Sequence, residues 1–97
     1  MKIEFDLAKD SSNQEKHGVS LAIADRLEWE MAIVKPDQRN DYGEMRMIGY
    51  APFVDRLYCV VFVDRGDVRR IISLRKANSR EVRTYVQSQH LHADSDS

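Results

Sequence analysis

Apolar and polar positions alternate only briefly at the start of the chain, in KIEF, which predicts a short first strand. Asp6 stands where it can N-cap a helix from Leu7 to about His17, although that stretch is poor in apolar residues. Gly18 follows, at the position where a helix commonly turns left-handed and where glycine does so without steric cost. Lys16 and His17 then fall in the last turn, where cations complement the helix dipole by about 0.3–1 kcal/mol. Ser20 caps a second predicted helix, LAIADRLEW, with Leu21, Ala24 and Leu27 three apart on one face.

The pattern then changes to strands. MAIV reads as a strand and KPDQRNDYG as a polar loop. In EMRMIGYAPF, period-two spacing puts Glu44, Arg46, Ile48 and Tyr50 on one side. LYCVVFV is apolar at every position, as expected of a central strand covered on both faces. DRGD is a tight hairpin connection with Gly66 supplying positive φ. In VRRIISLRKA, strict alternation turns Val68, Ile72 and Leu74 one way and Arg69, Ile71, Ser73 and Arg75 the other. Asn78 and Glu81 form a capping-box-like start to a last helix whose inner face is Val82, Tyr85, Val86 and Gln89. HLHADSDS is expected to be a frayed polar tail from residue 90, with His90 and His92 solvated rather than metal-binding.

The order β-α-α-β-β-β-β-α predicts an α+β domain: an antiparallel meander, two N-terminal helices, and a C-terminal helix packed on the sheet. With 97 residues there is room for one core, so residues 1–89 are read as a single domain. No apolar run is long enough for a membrane span, and the acids of MKIEFDLAKD argue against a secretory leader. Cys59 is the sole cysteine, which excludes an intrachain disulfide and reads as a small buried hydrophobe. A reducing cytoplasm is the expected location.

The net charge of −1 conceals an asymmetry. Residues 1–48 hold seven Lys/Arg against ten Asp/Glu, whereas residues 65–83 hold seven bases (Arg65, Arg69, Arg70, Arg75, Lys76, Arg80, Arg83) against Asp67 and Glu81. Arginine suits phosphate, because its planar fork donates two parallel hydrogen bonds and stays charged. A strip this dense points to RNA or DNA as partner, with a solvated strand and helix face as the plain alternative. A DNA-binding protein acting alone fits poorly with an overall charge near zero.

Three ordered motifs resemble the BrnT family, ribonuclease toxins of type II toxin–antitoxin modules. The first is FDLAKDSSNQEKHGVSLAIA, with Phe5, Asp6, Lys9, Asn13, Lys16, His17, Gly18, Val19 and Ala24. The second is EMRMIG, with Glu44, Arg46 and Gly49; the third is RIISLRKANSREVRTY, with Arg70, Ile71, Ile72, Ser73, Arg75, Ala77, Glu81 and Tyr85. Leu21 and Leu74 replace a phenylalanine and a small residue, core-type departures that alter packing more than chemistry, whereas Trp29 and Glu30 replace an aromatic–aspartate stretch, a departure that bears on substrate approach and partner contacts. The resemblance implies a RelE-like fold, RNA cleavage and inhibition of translation. It also implies neutralisation by a BrnA-like ribbon-helix-helix antitoxin, with operator DNA bound only through the toxin–antitoxin complex.

RNA is cleaved without metal when the 2′-hydroxyl attacks the adjacent phosphorus, which needs a base, an acid and cations around the phosphorane. The expected catalytic set is Lys16, His17, Glu44, Arg46 and Arg75, with no metal and no cofactor. Arg46 and Arg75 lead it as phosphate-gripping groups; Glu44 is either a base or the partner of an arginine in a structural ion pair. Arg65, Arg69, Arg70, Ser73 and Lys76 are expected to bind RNA, although Arg69 and Arg70 face opposite ways and only one can line the site. Tyr85 is read as packing between helix and sheet. The alternative function is a catalytically inactive module that binds antitoxin as a co-repressor. The antitoxin is expected either to cover the basic strip with an acidic segment or to add a strand at a sheet edge.

Overall fold

A computed structural model describes residues 1–39, 41 and 43–95, with side chains as far as Gln89. The chain runs through β1 (Lys2–Glu4), α1 (Leu7–His17), two 3-10 helices (Leu21–Arg26 and Trp29–Met31), β2 (Ile33–Pro36), β3 (Met47–Phe53), β4 (Arg56–Arg65), β5 (Val68–Lys76) and α2 (Ser79–Ser95). The strands form one sheet in the order β1-β5-β4-β3-β2. β2 to β5 make the antiparallel meander that the hairpin spacing predicts, and β1 closes the far edge parallel to β5. Among the described residues no helix is long and apolar enough to cross a membrane.

α1 starts and stops as its sequence predicts. The Asp6 carboxylate accepts the N–H groups of Ala8 and Lys9, which holds its pKa below the ordinary carboxylate value, and Gly18 ends the helix at φ 73°. Its attachment is less ordinary, because Leu7 is exposed and Asn13 is the buried residue of the helix. The Asn13 carboxamide donates to the carbonyls of Leu74 (2.7 Å) and Val19 (2.9 Å) and accepts the Leu74 N–H at 3.1 Å. β1 pairs with β5 only over Val68 to Arg70, so Leu74 lies on an open stretch of edge. Asn13 satisfies that edge as a strand residue would, and so lays α1 along it.

The second predicted helix is a correction: LAIADR is 3-10, and Trp29–Met31 is a separate 3-10 turn. The spacing Leu21–Ala24–Leu27 is three throughout, which is the period of a 3-10 helix and not of an α-helix. Those three side chains are buried against Ala51, Tyr58, Val60, Phe62, Ile71 and Leu74 on one face of the sheet. Asp10 of α1 fastens the turn by accepting from the Ser20 hydroxyl and the Leu21 N–H. Because Met31 belongs to the 3-10 turn, β2 begins at Ile33, two residues later than MAIV suggests.

β5 departs from strict alternation. Val61 pairs with Ser73 but Phe62 pairs with Ile71, so Ile72 is an extra residue on β5 and the side-chain phase changes there. Ile71 and Leu74 both enter the helix-covered core, while Ile72 packs with Ile48, Cys59 and Val61 on the other face. The expectation that Arg69, Ile71, Ser73 and Arg75 share a side is therefore corrected. Arg69 lies on the helix-covered face, its guanidinium 4.2 Å from the Phe62 ring and 4.6 Å from the Trp29 ring. Ser73 and Arg75 open onto the opposite face, paired across the strands with Val61 and Cys59.

The C-terminal helix is not laid across the sheet. α2 meets the body at its first turn and where the Tyr85 hydroxyl donates to the Met31 carbonyl at 2.8 Å. Val82 and Val86 of its expected inner face are exposed, and the molecule measures 45 × 27 × 26 Å. The helix continues to Ser95, beyond the residue at which the tail was expected to begin; the side chains of His90 and His92 lie outside the described residues.

The turn between β3 and β4 carries a local strain. Val54 sits at φ 59° with its side chain in solvent, a region that costs a β-branched residue about 1–2 kcal/mol. Val54→Asn is expected to raise the free energy of unfolding by about 1 kcal/mol, since asparagine tolerates this conformation. A urea midpoint that fails to rise would show that the turn does not hold this strain in solution.

Candidate active site

The face of the sheet opposite the 3-10 helices holds a groove of about 390 Å³. Its floor is Ile48, Tyr50, Cys59 and Val61, and its walls include His17, Lys35, Arg39, Ser73, Arg75 and Glu81. Apart from Glu81, the wall side chains reach it from three separate pieces of chain. His17 arrives at the end of α1, because Asn13 holds that helix against the β5 edge one turn earlier. Ser73 and Arg75 come from the strand whose bulge turns them this way. Lys35 belongs to β2, and Arg39 comes from the loop after it.

Arg39 is aimed by a buried acid. The Asp37 side chain is fully enclosed and receives Nε and one terminal nitrogen of Arg39 at 2.8 and 2.9 Å. The Asp37 N–H donates to the Arg46 carbonyl at 2.7 Å, tying this loop to the lead-in of β3. Arg75 is held in a similar manner: both arms of its fork reach the Glu81 carboxylate at 2.8 Å. Glu81 also closes the capping box of α2 with Asn78 and accepts the Tyr50 hydroxyl at 3.3 Å. A single carboxylate thus couples the start of α2 to an arginine of the groove.

These contacts set the charges. The Arg75 fork pulls the Glu81 carboxyl down to about 2, and Glu81 in return raises the Arg75 guanidinium above its usual value. Burial pushes the Tyr50 phenol up to about 12 and also raises the Cys59 thiol, so both are neutral near pH 7. Against the one carboxylate of the walls stand Lys35, Arg39, Arg75 and the imidazole of His17.

The Glu81 shift has a pH signature. Its folded pKa lies below the unfolded value of 4.5, so the contribution is complete above that pH and is lost as pH falls toward 2. Arg75 is more than a third exposed, and solvent screening holds the contribution to about 1 kcal/mol. The difference in unfolding free energy between the parent and Glu81→Gln, measured by urea melts at several pH values, is expected to shrink from pH 5.5 to pH 2.5. A difference that stays constant over that range would refute the assignment.

The remaining sequence candidates lie elsewhere. Lys16 is exposed one residue before His17 and does not line the groove. Glu44 and Arg46 precede β3 instead of belonging to it. Glu44 forms an ion pair with Arg65 at 2.9 Å near the β4–β5 turn, which is the structural alternative open to it. Arg46 is half-buried and is not among the groove walls. Arg69 pairs with Asp64 on the far face and Arg70 pairs with Glu4, while Lys76 is exposed at the end of β5. Neither residue type nor motif singles out Lys35, Arg39 and Tyr50, and Glu81 reads from the sequence as a helix cap and one position of the third motif. The available signal was Asp-x-Arg in KPDQR, a spacing at which a turn lets one side chain clasp the other. Among the described residues no three His, Cys, Asp or Glu side chains gather in a metal-binding cluster.

Fold and groove together define a small α+β protein that collects an imidazole, an ammonium and two guanidinium groups from three chain segments on one face of its sheet. The family model described as "Ribonuclease toxin, BrnT, of type II toxin-antitoxin system" matches residues 5–81, and the chain belongs to that family. The matched span takes in every groove wall named above, from His17 to Glu81. The family is one of ribonuclease toxins whose modules pair a toxin with an antitoxin. Among curated proteins no match to the chain is found.

Proposed function

We propose that this protein is an RNA endonuclease that inhibits translation, cutting by attack of a 2′-hydroxyl on the adjacent phosphorus without a metal ion. The observation that carries the reading is the meeting of His17, Lys35, Arg39, Ser73 and Arg75 in one groove. In this reaction the 2′-oxygen bonds to phosphorus, the bond to the 5′-oxygen breaks, and the products end in a 2′,3′-cyclic phosphate and a 5′-hydroxyl. Lys35, Arg39 and Arg75 offset the negative charge that grows on the phosphorane oxygens. His17 is the group suited to moving the proton, since an imidazole can act as either base or acid. Glu81 is a weak base, because the Arg75 fork stabilises its ionised form, and it serves to orient that arginine. Ser73 donates a hydrogen bond to the bound phosphate.

The protein is neutralised by a BrnA-like ribbon-helix-helix antitoxin and reaches operator DNA only through that complex. One feature favours the second reading, a catalytically inactive antitoxin-binding co-repressor: both arms of the Arg75 fork are already taken by Glu81. A cleavage assay on single-stranded RNA in EDTA separates the two. The first reading expects fragments with cyclic-phosphate ends, and no cutting of the same strand made with 2′-deoxy sugars. Intact RNA in both arms, from protein that still binds antitoxin, would sink it in favour of the second.

A further inference from the structure

We infer that the cavity between β2 and α2 is a seat for one unpaired nucleobase of the RNA, beside the phosphate held in the groove; this rests on the ribonuclease reading. The cavity has a volume of about 400 Å³, within the range of ligand pockets. It is continuous in chemistry with the groove, because Lys35, Tyr50 and Glu81 line both. A phosphate at Lys35 therefore has its neighbouring nucleoside at the mouth of this second cavity.

The walls match what a base requires, which is flat apolar surface for its faces and hydrogen-bonding groups for its edge. Ile33, Tyr50 and Tyr85 supply the first. Asn78, Thr84 and Ser88 supply the second, and the Asn78 amide nitrogen and the two hydroxyls make no hydrogen bond among the described residues. Both tyrosine rings are tethered at their far ends, Tyr85 to the Met31 carbonyl and Tyr50 to Glu81, so the walls stand before any ligand arrives. A paired base keeps its faces in the helical stack and its edge on its partner, so the seat selects single-stranded RNA. The same geometry gives Tyr85 a role beyond joining helix to body. It is a binding residue whose hydroxyl fixes it and whose ring faces the cavity.

The test uses the whole protein and short single-stranded RNA that is 2′-O-methylated throughout, and so cannot be cut by 2′-attack. Each nucleotide in turn lacks its base. For the parent, one abasic position is expected to weaken binding about tenfold, in line with the loss of one base–aromatic stack. Tyr85→Leu should weaken binding of intact RNA about tenfold and become indifferent to that abasic position. Thr84→Trp, at an exposed position of α2, should do the same by filling the cavity, and covers the case in which Tyr85→Leu fails to fold. Additive effects of the variants and the abasic lesion would overturn the seat. Protein that cuts ordinary RNA but has no abasic-sensitive position overturns the seat and leaves the ribonuclease reading standing. Protein that senses one abasic position but never cuts keeps the seat and overturns that reading, and protein that neither binds nor cuts overturns both.

Discussion

Asn13→Ala is expected to lower the free energy of unfolding by about 3 kcal/mol, a large share of the total for a domain of this size. The residue is buried and makes three hydrogen bonds, two to Leu74 and one to Val19. Alanine removes all three at once and strands a backbone N–H and two carbonyls in a place that water reaches poorly. Each stranded group costs about 1–3 kcal/mol, reduced where the chain relaxes. Relaxation has an obvious direction here, because α1 contributes hardly any other buried residue and peels away from the β5 edge. Asn13→Asp should be no better, since it keeps the acceptor but loses the donor and buries a charge. Urea unfolding gives the loss, and hydrogen exchange should show it first at the amides of α1 and Leu74. A loss below about 1 kcal/mol would mean that the helix is held by something other than this amide.

Caps and turns were legible because their chemistry is local: Asp6, Gly18, Ser20, Gly66 and the Asn78–Glu81 box each act within a few residues. The central strand was legible because seven consecutive apolar residues admit few other readings, and Leu57 to Val63 are all buried. Asn13 had no such signature, since its partner on β5 lies 61 positions away. The bulge at Ile72 was equally hidden. It is a property of the pairing between β4 and β5, and a rule of strict alternation sends Arg69 to the wrong face. The site suffered from both effects. His17 and Arg75 stand in motifs and are of residue types suited to RNA, whereas Lys35 and Arg39 lie in the acidic half of the chain, where a count of charge directs attention elsewhere. Arg46 stands with Glu44 in the second motif, and both residues precede the strand on one side of which period-two spacing sets them.

The largest functional effect is expected from Arg75. Arg75→Ala should reduce RNA cleavage by about 10²–10³-fold, the usual consequence of removing a donor from the charge that develops in a transition state. Arg75→Lys should recover only part of it, because an ammonium group keeps the charge but not the two-armed geometry that Glu81 fixes. Loss of the arginine also leaves the Glu81 carboxylate, 16% exposed, without its main partner, at a cost of about 1–2 kcal/mol in stability near pH 7. Activity and folding are therefore both disturbed by the single change, and a second substitution separates them. In Arg75→Ala/Glu81→Gln the stranded charge is gone, so stability should recover to about the level of Glu81→Gln alone while cleavage stays low. Growth arrest on induction of the protein supplies the cellular reading, and it should disappear for both the single and the double variant. If the double variant cuts RNA at a rate within a few-fold of the parent, Arg75 serves only to satisfy Glu81 and the phosphate is held elsewhere. If stability fails to return as well, the pair is not the isolated unit that its short bonds suggest, and the start of α2 depends on Arg75 by another route.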